Sequence, residues 1–218
     1  MIQPHTQLNL PKGEDLPSSD GLPVDNELHI LIPNLLASIL GFIWAERLDW
    51  FLGINMGIFY ATGVNPRVPI VPDAFLCLGV ERVKDNKLRE SYVVWEENNI
   101  APLLVLEVVS KTSGDEYDKK MAKYAQLGAL YYVIYNPDFW QRDKHEPFEV
   151  YRLDNGQYQR SLSEPFWMPE IGLGIGRGLG NYRGIQREWL YWYNQQGQRI
   201  VSPEELLQRY QERFGELS

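Results

Sequence analysis

The 218-residue chain has one cysteine, Cys77, so it cannot form an internal disulfide or a zinc site built from cysteine pairs. A lone thiol fits a reducing compartment, and the N-terminal residues lack the basic start and apolar run of a secretory signal. The expected location is the cytoplasm. Histidine is nearly as scarce: His5, His29 and His145 stand far apart, which argues against a histidine-rich metal centre. No apolar run is long enough to cross a bilayer. The most apolar stretch, Ile30 to Ala45, contains Pro33, Asn34 and Ser38 and falls short of the roughly 18 residues that a spanning helix requires. It is expected to form a buried helix.

Positive charge is also in deficit. Lys and Arg number 21 against 29 Asp and Glu, and the net charge of −8 opposes non-specific attraction to nucleic acid. A local cleft can depart from that balance, and a divalent ion held by clustered carboxylates reverses the local sign. Ser110 lacks a Gly-x-Ser-x-Gly elbow, which disfavours a serine hydrolase. The alternating glycines Gly172, Gly174, Gly176, Gly178 and Gly180 do not follow a clear strand into a helix, which disfavours a dinucleotide fingerprint. They read as an irregular, tightly turning segment.

What is present is ordinary globular material, 44% hydrophobic and 23% charged. Residues 1–24 are rich in Pro, Ser, Asp and Gly and read as an irregular arm, 25–200 as the main domain, and 201–218 as a C-terminal helix. Leu28, Leu31, Leu35, Leu36, Leu40, Ile43 and Trp44 recur at helical spacing, with Asp25 as N-cap and Pro33 implying a kink or a later start. Three strands are expected in 54–63, 68–79 and 91–98, followed by the nearly continuous apolar run 102–110 of a central strand. A helix near Glu116 to Leu127, ended by Gly128, then joins that run to the apolar strand 130–137. Strand, helix, strand at this spacing is a crossover between parallel neighbours. Asn155-Gly156 marks a hairpin between 148–153 and 158–163, and Ser202, Pro203 and Glu205 form a capping box. The seven tryptophans are expected in the core and at interfaces.

Glu107 carries the most information. It sits inside Leu103 to Val109, where an unpaired charge would cost several kcal/mol, so a lysine, a backbone group or a metal must compensate it. Asp73, after Pro72, is either a turn residue or a second carboxylate entering an apolar strand. On neighbouring strands the two would form the hard, oxygen-rich site that magnesium prefers. Glu116, Lys120 and Tyr124 share one helical face that could look back at the strand ends. Alternatively, Lys119, Lys120 and Lys123 are a solvated face.

Pro72-Asp73, Leu-Glu-Val-Val-Ser at 106–110, the helix with Lys and Tyr, and Leu-Tyr-Tyr-Val-Ile-Tyr-Asn-Pro at 130–137 resemble the bacterial putative restriction endonuclease family of the PD-(D/E)xK nuclease superfamily. The resemblance runs in order from Asp25 to Pro137 and includes the region Trp189 to Tyr193. It implies an α/β fold with a restriction-endonuclease-like core, a mixed β-sheet flanked by helices. It further implies hydrolysis of DNA with Mg2+ or Mn2+, Asp73 and Glu107 as metal ligands, and the Val108 carbonyl as a further ligand. The superfamily's Glu-x-Lys would place lysine at 109, where this chain has Val109. The resembling family moves that lysine to the following helix, which maps onto Lys120, with Lys111 nearer in sequence. Glu27 matches a position where related nucleases place another carboxylate. A nucleic acid, above all DNA, and a second copy of the chain are the implied partners, with a catalytically silent binding protein as the alternative to an enzyme.

Overall fold

The computed structural model describes residues 10–16, 26–61, 68–84, 86–111 and 115–215; the proposed cap Asp25, Leu217 and most of the N-terminal arm lie outside them. In chain order the elements are α1 (Leu28–Ile43), β1 (Trp50–Ile54), β2 (Ile58–Phe59), β3 (Ala74–Leu78), β4 (Tyr92–Val93), β5 (Leu104–Val108), α2 (Lys119–Leu127) and β6 (Tyr131–Tyr135). They continue as α3 (Trp140–Asp143), β7 (Phe148–Asp154), β8 (Gln157–Ser161), β9 (Phe166–Met168), β10 (Leu173–Tyr182), β11 (Ile185–Tyr193) and α4 (Pro203–Phe214). The main sheet runs β1-β3-β5-β6-β7-β8. It is mixed, because β5 and β6 pair in parallel through the α2 crossover while the other neighbours are antiparallel.

Both faces of this sheet are covered, which is why β5 and β6 are apolar at nearly every position. One face carries Ala74, Leu76, Leu104, Leu106 and Val108 against α1 and the sheet β11-β10-β9. The other carries Phe75, Val105, Val109 and Ile134 against Tyr124 and Leu127 of α2. Trp189, Trp192 and Tyr191 are core residues on the α1 side, and the Trp192 indole donates to the Leu36 carbonyl at 2.9 Å.

Several local readings hold. Pro33 lies inside α1, which already begins at Leu28, so of its two readings the later start is not the one found. Gly128 ends α2 in a left-handed conformation, Asn155 and Gly156 turn the β7–β8 hairpin at positive φ, and the Ser202–Glu205 capping box is formed. Others are corrected. Among the described residues of 54–63, only Ile58–Phe59 is a strand separate from β1, and 91–98 gives two strand residues before a 3-10 turn at Val94–Glu96. The glycine-rich segment is not irregular: Gly174, Gly176, Gly178 and Gly180 lie in the ten-residue β10. The missing side chains of Gly178 and Gly180 make room for Tyr191 and Tyr193 of the neighbouring strand, since a Cβ on Gly180 would sit 2.1 Å from the Tyr191 hydroxyl, while Gly176 makes room for Pro165. α4 buries none of its residues, and Leu207, Tyr210 and Phe214 remain exposed.

Candidate active site

Glu107 sits on the α2-facing side of β5 and is 2% exposed. β3 pairs with β5 through Ala74↔Leu106 and Phe75↔Val105, and continuing that register by one residue sets Asp73 opposite Glu107. Asp73 ends the Pro72 turn just before β3 and takes up a vacated ladder position: its Oδ2 accepts the Val108 N–H at 2.6 Å. Val108 therefore meets Asp73 through its N–H. Asp73 Oδ1 lies 2.6 Å from Nδ1 of His29, a residue of α1 that is also buried.

The helix supplies the other side. Lys120 Nζ donates to Glu107 Oε2 at 2.8 Å and lies 3.8 Å from Glu116 Oε1. The Tyr124 hydroxyl, one turn on, donates to Glu107 Oε1. Lys120 and Tyr124 thus share one face of α2 as their spacing defines, whereas the helix expected from Glu116 begins at Lys119, and Glu116 reaches Lys120 from the turn before it. Lys119, rotated by about 100°, is exposed and pairs with Asp115. Lys111 is exposed, and its backbone carbonyl, with that of Ser110, accepts from Arg142, which ties the end of β5 to α3. Val109, at the position of the superfamily lysine, is buried in the apolar cluster under α2.

Burial pushes the Glu107 carboxyl up to about 7; Lys120 and the Tyr124 hydroxyl oppose the shift, and the Asp73 charge adds to it. Burial pulls the Lys120 ammonium down, but Glu107, Glu116 and Asp73 outweigh it and hold it above its ordinary value. The Tyr124 hydroxyl is held far above its usual range, by burial first and then by Glu107. At neutral pH the lysine and tyrosine keep their protons, and burial holds the Glu107 carboxyl above the usual carboxylate range.

The structure brings Asp73, Glu107, Val108 and Lys120 together. It does not bring in Glu27, which stands exposed at the N-cap of α1, with no hydrogen bond or ion pair joining it to Asp73, Glu107 or Lys120. Sequence reasoning missed His29. The available signal was a histidine on the apolar side of α1, which the scarcity of histidine caused to be set aside.

Among the described residues no three or more His, Cys, Asp or Glu side chains form a ready metal cage. What Asp73 and Glu107 offer is a buried pair of hard oxygen donors, each oxygen holding one hydrogen-bond partner. That set fits magnesium, which keeps several waters and is held by one or two carboxylates together with substrate phosphate.

The family model for Uma2, described as putative restriction endonuclease, matches residues 19–180. The chain belongs to the Uma2 family. The Uma2 span contains Asp73, Glu107, Lys120, His29 and Tyr124, and leaves β11 and α4 beyond it. No curated protein matches the chain. Among solved structures it is similar to a putative nuclease belonging to DUF820 from Anabaena variabilis ATCC 29413, with 14% identity, a TM-score of 0.47, and coverage of 67% of this chain and 74% of that one.

Proposed function

We propose that this Uma2 protein is a Mg2+- or Mn2+-dependent endonuclease acting on DNA. Asp73, Glu107 and the Val108 carbonyl would hold the metal, and Lys120 would meet the phosphate. Glu107 carries the reading. A carboxylate 2% exposed, inside a strand covered on both faces, is a poor way to stabilise a sheet, because apolar side chains in place of a buried ion pair are often neutral or stabilising. Its partners, a lysine, a tyrosine and a second carboxylate, are those that phosphoryl chemistry uses.

A divalent cation at this pair would supply an activated water and stabilise charge on the phosphoryl oxygens. The chain's own groups do the rest. Lys120 keeps its proton and can donate to a non-bridging phosphate oxygen as charge builds there. Tyr124 keeps its proton and holds Glu107 Oε1 in place. Arg142 fixes the carbonyls just after β5, so the strand end that presents Val108 is anchored.

The same reading places the protein in the cytoplasm as a homodimer, with a second copy on the exposed face of α4 made by Leu207, Tyr210 and Phe214. Among the described residues, no helix is long and apolar enough to cross a membrane. A scattering mass equal to one chain over a wide concentration range would remove the dimer.

Cleavage of plasmid DNA tests the reading. Wild-type protein is expected to cut with Mg2+ or Mn2+, to stop on chelation, and to lose activity in Asp73→Asn and Glu107→Gln. No cleavage of DNA or RNA with any divalent metal would instead support a silent nuclease fold that binds nucleic acid or a protein.

A further inference from the structure

Asp73 is held by more than its own strand. Pro33 has no N–H, so the carbonyl four residues earlier, that of His29, is released from the helical ladder of α1. The Asn55 side chain donates to it at 3.4 Å. Asn55 follows β1 in a left-handed conformation, with φ of 46°, and its own N–H donates to the Asp73 carbonyl at 3.0 Å. The His29 ring returns to the Asp73 side chain at 2.6 Å. His29, Asn55 and Asp73 therefore close a ring of three hydrogen bonds that joins α1, the end of β1 and the start of β3.

The ring fixes both the backbone and the carboxylate of Asp73. With Oδ2 on the Val108 N–H and Oδ1 on the His29 ring, each oxygen has one donor and keeps a further lone pair. We infer that His29 is the positioning residue for Asp73, aiming the carboxylate's remaining lone pairs at the space beside Glu107. This rests on the metal-dependent reading above. A donor on a ligating carboxylate orients it, and loss of such a partner typically weakens metal binding by about 10- to 100-fold. Pro33, a breaker inside an otherwise regular helix, acquires a purpose, since it frees the carbonyl that anchors Asn55.

The test uses the full chain with Mn2+ alone as probe, and a second readout that needs no metal. His29→Phe keeps a flat ring and removes the donor, whereas His29→Asn keeps a side-chain N–H near the place of Nδ1. Expected in His29→Phe are Mn2+ binding weaker by about 10- to 100-fold and amide exchange at Val108 faster by about tenfold or more. Exchange at Val109, whose N–H goes to the Tyr135 carbonyl, should stay unchanged. His29→Asn should recover most of both losses, which a filler of space would not do.

Unchanged Val108 exchange and Mn2+ affinity in a folded His29→Phe would overturn the assignment. If His29→Phe does not fold, His29→Leu removes the same donor to Asp73 with a smaller apolar side chain. Unchanged exchange at Val108 there would overturn it equally. If wild-type protein binds no Mn2+, the metal reading fails while Val108 exchange still decides whether His29 holds Asp73.

Discussion

Lys120 Nζ lies 2.8 Å from the Glu107 carboxylate although the two residues stand thirteen positions apart on different elements. In a Glu-x-Lys arrangement the lysine leaves the same strand two residues on, and here that position is Val109, buried under α2. The cation enters from the helix, and the strand position becomes core.

The first prediction follows from that geometry. Lys120→Ala should lower kcat by at least about 10²- to 10³-fold, the size of losing one donor aimed at developing charge. Losing the Lys120 charge lets the Glu107 carboxyl rise further, so the fold and Mn2+ affinity should be largely kept only at a pH well above 7, where Glu107 is ionised in both proteins and a transition-state contact, not a ligand, is what is missing. Lys119→Ala, at the exposed pair with Asp115, should change stability by no more than about 0.5 kcal/mol and leave turnover intact. Single-turnover cleavage by the two variants decides it; equal rates for wild type and Lys120→Ala would move the role to Lys111.

The second prediction concerns stability. Burial raises the Glu107 carboxyl from 4.5 to about 7 on folding, so between those values the folded state binds more protons than the unfolded state. Stability from this group is therefore present below about pH 4.5 and is lost as pH rises towards 7. Glu107→Gln removes the group. Its stability relative to wild type should rise through that window and level off above it, by an amount on the order of a few kcal/mol. Urea denaturation of both proteins at a series of pH values measures the difference; a difference independent of pH would contradict it.

How much of this was readable follows from the range of the interactions. Lys120 and Tyr124 were placed on one face because helical periodicity is local, and the β5–α2–β6 crossover because two apolar runs flank a helix ended by Gly128, whereas Glu116 was put on a helix that starts only at Lys119. The Ser202 and Gly128 caps were equally local. The bond between His29 and Asp73 spans 44 residues and joins a helix to a strand end, and no periodicity announces such a pair. β10 was misread because its alternating glycines leave no apolar pattern of their own; the pattern belongs to Tyr191 and Tyr193 on β11, which fill the space. β2 and β4, two residues each, are too short to show alternation.

A third prediction tests the tyrosine. The Tyr124 hydroxyl donates to the ionised Glu107 and helps to restrain its rise, so Tyr124→Phe should push the Glu107 carboxyl further up. A ligating carboxylate must be ionised. Mn2+ affinity in wild type should therefore increase with pH through about 7, and in Tyr124→Phe the same increase should move to higher pH. Calorimetric titration across pH reads the midpoint, and coincident midpoints would remove Tyr124 from the site.

The last prediction sets two glycines against each other. On Gly180 of β10 an added methyl would stand 2.1 Å from the Tyr191 hydroxyl and 3.2 Å from Nη1 of Arg199. Tyr191 is fully buried and its ring lies under the Arg199 guanidinium at 4.2 Å, so it has no room to swing away. Gly180→Ala should therefore cost about 1 to 3 kcal/mol, the usual range for overpacking. Gly41 is exposed within α1, and a methyl there meets nothing within 4 Å. Gly41→Ala should stabilise by up to about 1 kcal/mol, because alanine loses less backbone freedom in a helix. Thermal melting separates the two, with the midpoint falling for Gly180→Ala and rising for Gly41→Ala. A neutral Gly180→Ala would mean that β10 and β11 lie further apart than this packing of Tyr191 across the glycine strand requires.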